Sequence, residues 1–533
     1  MDAFRALCDR FAALQGGERR AGRRGQGGEG PRVLVARQVG ASLDILAREL
    51  AMALVLRAHG ARPVVSLCDG MLRACYLRSQ GGVSPERWGE PCAACLSRAE
   101  SLCDAAGVEH VRLGDCVAPA NVRRLREATP APDPEALIHE TWEGLPSGYH
   151  ASASLARFYR GAEDAATREE GRGLAREFFA AAKVSALAAR GLLEALSPDR
   201  VLTTHRQFLE TGPLHGLCRM RGVPVVDWMT GFADGGYYYA ACPPDPIEDA
   251  LIMPQAEWET VIAEAEGLSG ETLKRELADY FAPVRASGPW GVFENAPQDA
   301  DSLRTALSLD PDKPVWGIFP HVRWDVTFTP GSVFFKDADD WLRLTIERAA
   351  DLPRIQWVIR CHPAERLDGT IKGAAASVRE WFPTLPDNLR LVTGGAINTY
   401  GLLEVLDGAV VIRSTAGIDA ALAGKPVITG GVGHYAGRGF TRDGANLEDY
   451  AGHLARAASY GPLSGRELHL ARVYAHDLFL RRQLTLSPVS ADGWRLLAAS
   501  PDELAPGRDP DLDLFARGVL AGEPFRRPGR PHA

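Results

Sequence analysis

The stretch RSTAGIDAALAGKPVITGGVGHYAGRGF, residues 413–440, decides the reading of the fold. It follows the apolar run GAVVI at 408–412 and reads as a strand end, a polar turn, a short helix, a second apolar strand at 426–429 and a glycine-rich loop. That order is half of a doubly wound parallel sheet. It places Ser414, Thr415 and the first amides of the helix at the carboxyl edge of the sheet, where unpaired N–H groups and the positive end of the helix dipole favour phosphate.

Working back from this stretch, the same alternation recurs. Strands are expected at PVWGIF (314–319), IQWVIR (355–360) and LRLVT (389–393), with helices at 337–350, 374–381 and after Asn398. An earlier series has strands at VLVA (33–36), PVVSL (63–67), HVRL (110–113), VLTTH (201–205) and VPVVDW (223–228). Helices at 43–58 and 173–196 and one after Thr211 separate them, with a turn at Val39–Gly40. Between the two series, residues 243–300 break the rhythm with PPDPIED, Glu- and Leu-rich helical segments and SGPWG.

The expectation is therefore an α/β chain of the GT-B kind, two Rossmann-like doubly wound domains facing across a cleft. Its parts are a flexible basic segment (1–31, with GGERRAGRRGQGGEGP at 16–31), an acceptor domain (32–242) and a helical linker or insertion (243–300). A nucleotide-donor domain (301–445), helices that pack back on the domains (446–505) and an irregular tail (506–533) follow. At 533 residues the chain exceeds one ordinary core of about 150 residues.

Composition narrows the function classes. Lys plus Arg number 60 against 68 Asp plus Glu, a formal charge of −8, so bulk charge does not recruit nucleic acid. No apolar run reaches the roughly 18 residues that cross a bilayer, and the N-terminus lacks a secretory pattern. A cytoplasmic protein is expected, with the basic segment able to touch the inner, anionic face of the membrane peripherally.

At the end of IQWVIR the chain runs RCHPAE, so Arg360 and His362 emerge beside the nucleotide crevice, and Pro363 ends the strand. Arg360 could hold phosphate through its planar fork and His362 could donate to a bridging oxygen as the nucleotide departs. Arg413 precedes the turn, and in YAGRGF Arg438 could close over a phosphate or sugar carboxylate. Asp419, on the first turn of the helix, could accept from ribose hydroxyls or simply complement the dipole. In the first series His205 and Asp227 end strands on the same edge, and His321, Arg323 and Asp325 in PHVRWD begin the second. Any of these could position an acceptor hydroxyl or a donor carboxylate. Ten cysteines suit reduced thiols; in PCAAC and its neighbourhood, Cys68, Cys75, Cys92 and Cys95 could instead form a tetrathiolate structural zinc site.

The segments VIRCHPAE, INTYGLLEVLDGAVVIRSTAGIDAALAGKPVITGG and YAGRGFT resemble capsular polysaccharide biosynthesis proteins of the Kdo-transferase type. They are more distantly similar to bacterial polysialyltransferases, whose HP and Ser/Thr motifs contact a CMP donor. Carried onto His362–Pro363 and Ser414–Thr415, the resemblance implies that Ser414, Thr415 and the amides of Ala416 and Gly417 bind donor phosphate. It implies a base at Asp69, although Cys68 stands where the polysialyltransferase motif has a first acid. The activity implied is a glycosyltransferase building surface or capsular polysaccharide from a nucleotide-activated, acidic sugar such as CMP-Kdo. Its acceptor would be a saccharide or lipid-linked, and its scheme requires no catalytic cofactor. A CDP-polyol phosphotransferase of teichoic-acid type, a UDP-sugar 2-epimerase and a non-catalytic nucleotide-sugar-binding subunit share the same phosphate-binding requirement.

Overall fold

The computed structural model describes residues 2–20, 30–36, 42–75, 87, 90–161, 169–233, 235–243, 245, 247, 249–287, 294–366, 369–431, 433–493 and 495–528. The turn expected at Val39–Gly40, the SGPWG segment beyond Ser287, and residues 21–29 of the basic segment lie outside them.

The chain divides into two compact units, the first made of Met1–Phe158, Glu163–Pro244 and Arg482–Arg527, the second of Tyr159–Ala162, Asp245–Arg481 and Pro528–Ala533. In the first, the elements run α1 (Asp2–Arg20), β1 (Arg32–Ala36), α2 (Leu43–Ala58), β2 (Arg62–Leu67), α3 (Glu90–Ala105), β3 (Glu109–Arg112), α4 (Pro119–Ala128) and α5 (Ser147–Tyr159). They continue with α6 (Glu169–Leu196), β4 (Arg200–Thr204), α7 (Gly212–Arg221), β5 (Val225–Thr230) and β6 (Gly236–Ala241). The second unit holds α8 (Gln255–Ala265), α9 (Gly270–Ser287), α10 (Ala300–Ala306), β7 (Val315–Phe319), α11 (Ala338–Ala350), β8 (Gln356–Arg360), α12 (Ala374–Trp381) and β9 (Leu389–Val392). It ends with α13 (Thr399–Val405), β10 (Gly408–Val411), α14 (Ala416–Leu422), β11 (Val427–Thr429), β12 (Arg442–Asp443), α15 (Leu447–Ala455) and α16 (Gly465–His476). Strand β13 (Leu484–Thr485) and helix α17 (Pro510–Ala521) return to the first unit.

Each unit is a Rossmann-like doubly wound sheet. The first has strand order β13-β6-β5-β4-β1-β2-β3, parallel except for the antiparallel pairings of β6 with β5 and of β13 with β6. The second has order β12-β11-β10-β7-β8-β9, parallel throughout. These strands are near-continuous apolar runs because helices cover both faces. On one face of the first sheet Val33 and Val35 pack with α2 and α17; on the other, Leu34, Val201 and Val225 pack with α6 and α7. In the second, Trp316, Trp341 and Trp357 centre the core.

Both chain ends depart from expectation. Residues 1–31, read as flexible, contain α1, whose Leu7, Phe11 and Leu14 recur on one face and are buried in the first unit's core. That stripe outweighs the Gly-Gly pair at 16–17. The tail at 506–533 contains α17, which Asp509 caps by accepting from the Asp511 and Leu512 amides and Gly522 ends in the left-handed region at φ 75°. Phe515 then lies 4.9 Å from the Tyr239 ring of β6. The helices at 255–287 pack within the second unit, Trp258 edge-on to Tyr474 and Glu276 bonded to His476 at 2.9 Å.

Candidate functional site

In the second sheet β7 is the first strand laid down; the chain adds β8 and β9 on one side, then β10, β11 and β12 on the other. The switch point therefore lies between β7 and β10, and ligands of doubly wound sheets bind beyond the carboxyl ends there. Ile318 of β7 pairs with Ile359 of β8, and Phe319 pairs with Val411 of β10. Parallel register thus delivers His321, His362 and the Arg413–Thr415 turn to one edge.

The structure brings the two histidines together, their rings 6.5 Å apart and nearly parallel at 27°. His362 Nδ1 accepts from the Ala364 amide at 3.2 Å. Burial, His321 and Arg360 depress its pKa to about 4, against a smaller opposing pull from Asp325. At neutral pH His362 is thus an uncharged ring with Nδ1 engaged, so its proton sits on Nε2. It can donate a hydrogen bond to an anionic oxygen without being an imidazolium acid. His321 Nδ1 lies 3.2 Å from the Val322 carbonyl.

Across the switch point, Ser414 Oγ accepts from the Ala416 amide at 3.3 Å, and the Ser414 carbonyl accepts from the Gly417 amide at 3.0 Å. The Ala416 and Gly417 amides expected to bind phosphate are therefore engaged within the turn. Thr415 occupies the N-cap with no side-chain cap bond, which leaves its hydroxyl unused by the helix. Arg413 is buried with its guanidinium 5.2 Å from the Phe328 ring centre. Asp419 is half-buried, and desolvation raises its carboxyl to about 7 despite Arg285.

Tyr435 escaped the sequence reading, which attended to the glycines and arginine of its loop. Its hydroxyl donates to the Ser414 carbonyl at 2.6 Å, and the ring is fully buried, so the loop after β11 braces the turn after β10. The signal was present as an aromatic hydroxyl in the loop that follows the strand, six residues past Thr429. Gly417 is required for this approach, since a Cβ there would lie 2.3 Å from the Tyr435 oxygen. Gly417→Ala is expected to cost about 2 kcal/mol and to weaken ligand protection in thermal unfolding. Retention of wild-type stability would show that the turn relaxes freely.

Three arginines of the sequence reading make structural contacts. Arg360 is 1% exposed and donates to the carbonyls of Cys361 (3.2 Å), Gly394 (2.7 Å) and Ile397 (2.8 Å), fastening the loop after β9. Arg438 donates to the Met253 carbonyl and to Gln255 Oε1 at 3.1 Å, tying its loop to the start of α8. Arg323 joins Asp339 at 2.6 Å, Ser377 at 3.1 Å and the Gly161 carbonyl at 3.0 Å, a cross-link among elements of the second unit. Asp325 is exposed.

In the first unit the switch point lies between β1 and β4. His205 follows β4 in the left-handed region at φ 51°, with Nδ1 2.9 Å from Thr204 Oγ1 and its ring stacked on Phe208. Asp69 does not stand as a free base: Oδ1 accepts from the Met71 amide (3.2 Å) and Oδ2 from the Gly114 amide (3.1 Å), closing the turn at Gly70, φ 91°. Asp227 is 5% exposed, with Oδ2 3.8 Å from Arg206 Nε.

Burial lifts Asp227 to about 7 even against Arg206. The folded state thus holds its proton more tightly than the unfolded chain, so its contribution to stability is complete below about pH 4 and is lost as pH rises through about 7. Asp227→Asn is expected to gain on the wild type, by about 2–3 kcal/mol, between about pH 5 and pH 8 in denaturant unfolding. A constant difference across that range would show an ordinary carboxylate.

The zinc reading is also corrected. Among the described residues no group of three or more His, Cys, Asp or Glu is placed to hold a metal, so Cys68, Cys75, Cys92 and Cys95 form no such ligand set. Cys92 and Cys95 ride on α3, whereas Cys68 lies beyond the end of β2, where burial pushes its thiol up to about 12. No disulfide involves them.

Among curated proteins, none matches the chain. Of solved structures, the beta Kdo 2,4 transferase KpsC of Thermosulfurimonas dismutans aligns with TM-score 0.35 and 16% identity over 54% of this chain and 81% of that one. The beta Kdo 2,7 transferase KpsC of the same organism aligns with TM-score 0.32 and 16% identity over 56% and 86%. A putative UDP-N-acetylglucosamine 2-epimerase from Listeria monocytogenes aligns with TM-score 0.27 and 10% identity over 85% and 93%. Among the described residues, no helix is long and apolar enough to cross a membrane. The sequence model of one family matches the segment that supplies His362, the Ser414–Thr415 turn and Tyr435: residues 322–461 of this chain match capsule polysaccharide biosynthesis proteins.

Proposed function

We propose that the protein is a glycosyltransferase of surface or capsular polysaccharide assembly, taking a nucleotide-activated sugar, of CMP-linked acidic type, to a saccharide or lipid-linked acceptor. The observation that carries the reading is the coincidence of two independent features. The capsule-biosynthesis match spans residues 322–461, and that span contains the loop after β10 and all but the first two residues of the loop after β7, which flank the second unit's switch point. His362 Nε2–H and the Thr415 hydroxyl are the groups assigned to the donor phosphate. They would stabilise negative charge as the nucleotide leaves, the largest single source of catalysis in such transfers. Arg360 and Arg438 act behind them by holding the loops. The acceptor is assigned to the first unit, with His205 at its switch point.

The test is a screen of CMP-, CDP- and UDP-activated donors for thermal protection, followed by product mass. CMP and a CMP-sugar are expected to raise Tm by a few degrees, with transfer of the glycosyl group to an oligosaccharide acceptor. Protection by UDP alone would overturn the CMP assignment. Release of CMP with transfer of a phosphoryl-polyol would make the protein a phosphotransferase, and binding without turnover a nucleotide-sugar-binding subunit.

A further inference from the structure

The hydrogen bonds made by the two histidines at this edge have opposite polarity. The Val322 carbonyl can only accept, so the 3.2 Å contact with His321 requires a proton on Nδ1, and the neutral ring then carries a lone pair on Nε2. The Ala364 amide can only donate, so the 3.2 Å contact with His362 requires a lone pair on Nδ1, and the neutral ring then carries its proton on Nε2. The second nitrogen's state follows from the partner of the first. The ring centres lie 6.5 Å apart, so a donor ring and an acceptor ring stand side by side at this edge.

We propose that His321 is the specificity-determining residue of the donor site, its Nε2 lone pair accepting from a ligand hydroxyl and disfavouring a second phosphate while His362 Nε2–H donates to the first. This rests on the assignment of the site to a nucleotide donor and adds to it the means of choice. A hydroxyl spaced from a phosphate oxygen meets both rings in their resting tautomers. A second phosphate brings acceptor oxygens against a lone pair, and that unmatched contact disfavours binding. An unmatched acceptor is a repulsive element against the wrong ligand, and specificity is built from such elements as well as from attractive ones.

The tautomers are tested first, by nitrogen-15 spectra of labelled protein, with His321→Gln and His362→Gln used to assign the rings. His321 is expected as the Nδ1–H form and His362 as the Nε2–H form near pH 7.5. Nε2–H on His321 overturns the proposal whatever the protein binds. Titration calorimetry then compares CMP with CDP and UMP with UDP. In each series the monophosphate is expected to bind about tenfold more tightly. His321→Asn keeps an amide able to donate to the Val322 carbonyl but has no group at the Nε2 position; it is expected to bring the ratio to within about twofold with Tm unchanged. Equal binding by the wild type, or an unchanged ratio in His321→Asn, overturns the assignment. If the tautomers are as assigned but no nucleotide binds, the donor-site reading fails and this role for His321 fails with it.

Discussion

Replacing His362 by alanine is expected to lower turnover about 100-fold while lowering Tm by only a few degrees. Among the described residues the ring's one intramolecular hydrogen bond is the Ala364 amide to Nδ1, and losing such a bond costs about 1 kcal/mol. Its Nε2–H, by contrast, is the group assigned to the leaving phosphate, where charge grows in the transition state. The depressed pKa, about 4, makes a second claim. His362 should act as a neutral donor, so the pH–rate profile between about 6 and 8 should show no inflection that disappears in His362→Ala. Thr415→Ala is the companion change. Because its side chain makes no cap bond, it should leave Tm nearly unaltered while lowering donor affinity about tenfold. Turnover measured with a saturating acceptor, beside thermal unfolding of both variants, decides the matter. Parallel loss of stability and activity would reduce both residues to structural roles.

Much of the fold was legible in the sequence because parallel strands covered on both faces are uninterrupted apolar runs. PVWGIF, IQWVIR and GAVVI correspond to β7, β8 and β10 within a residue or so at each end. What escaped lacks that signature. GYYYAA (β6) follows a glycine-rich turn and pairs antiparallel with β5, and the two-residue β13 exists only through its pairing with Tyr237 and Gly236. The site was legible as a set of residue types at strand ends, and register explains why His321 and His362 meet. The direction of each guanidinium was not legible. Arg438 reaches a carbonyl 185 positions earlier in the chain, and Arg360 reaches carbonyls 34 and 37 positions on. A strand-end arginine looks the same in sequence whether it faces a ligand or a loop, since nearby backbone carbonyls and phosphate oxygens compete for the same donors.

That competition gives Arg360→Met a decisive expected outcome, a loss of about 3 kcal/mol of stability, or roughly 10 °C in Tm, with little change in nucleotide affinity. Methionine preserves the packing of the buried stem but strands the carbonyls of Gly394 and Ile397 without their charged donor. The loop they belong to leads into Asn398, which caps α13 by accepting from the Tyr400 amide. Asn398 also donates to the Arg285 and Asn295 carbonyls, so displacement of the loop propagates to α9. Titration with CMP, performed well below the variant's Tm, should return a dissociation constant within about threefold of the wild type. A phosphate ligand would behave in the opposite way: affinity would fall by ten- to a hundredfold, the loss of a charge-assisted contact, while the fold held. The sign of that contrast separates the two roles of a residue that the HP motif places one position before the cysteine and two before His362. If Arg360→Met loses affinity without losing stability, the arginine belongs in the donor site and the loop after β9 is held by other means.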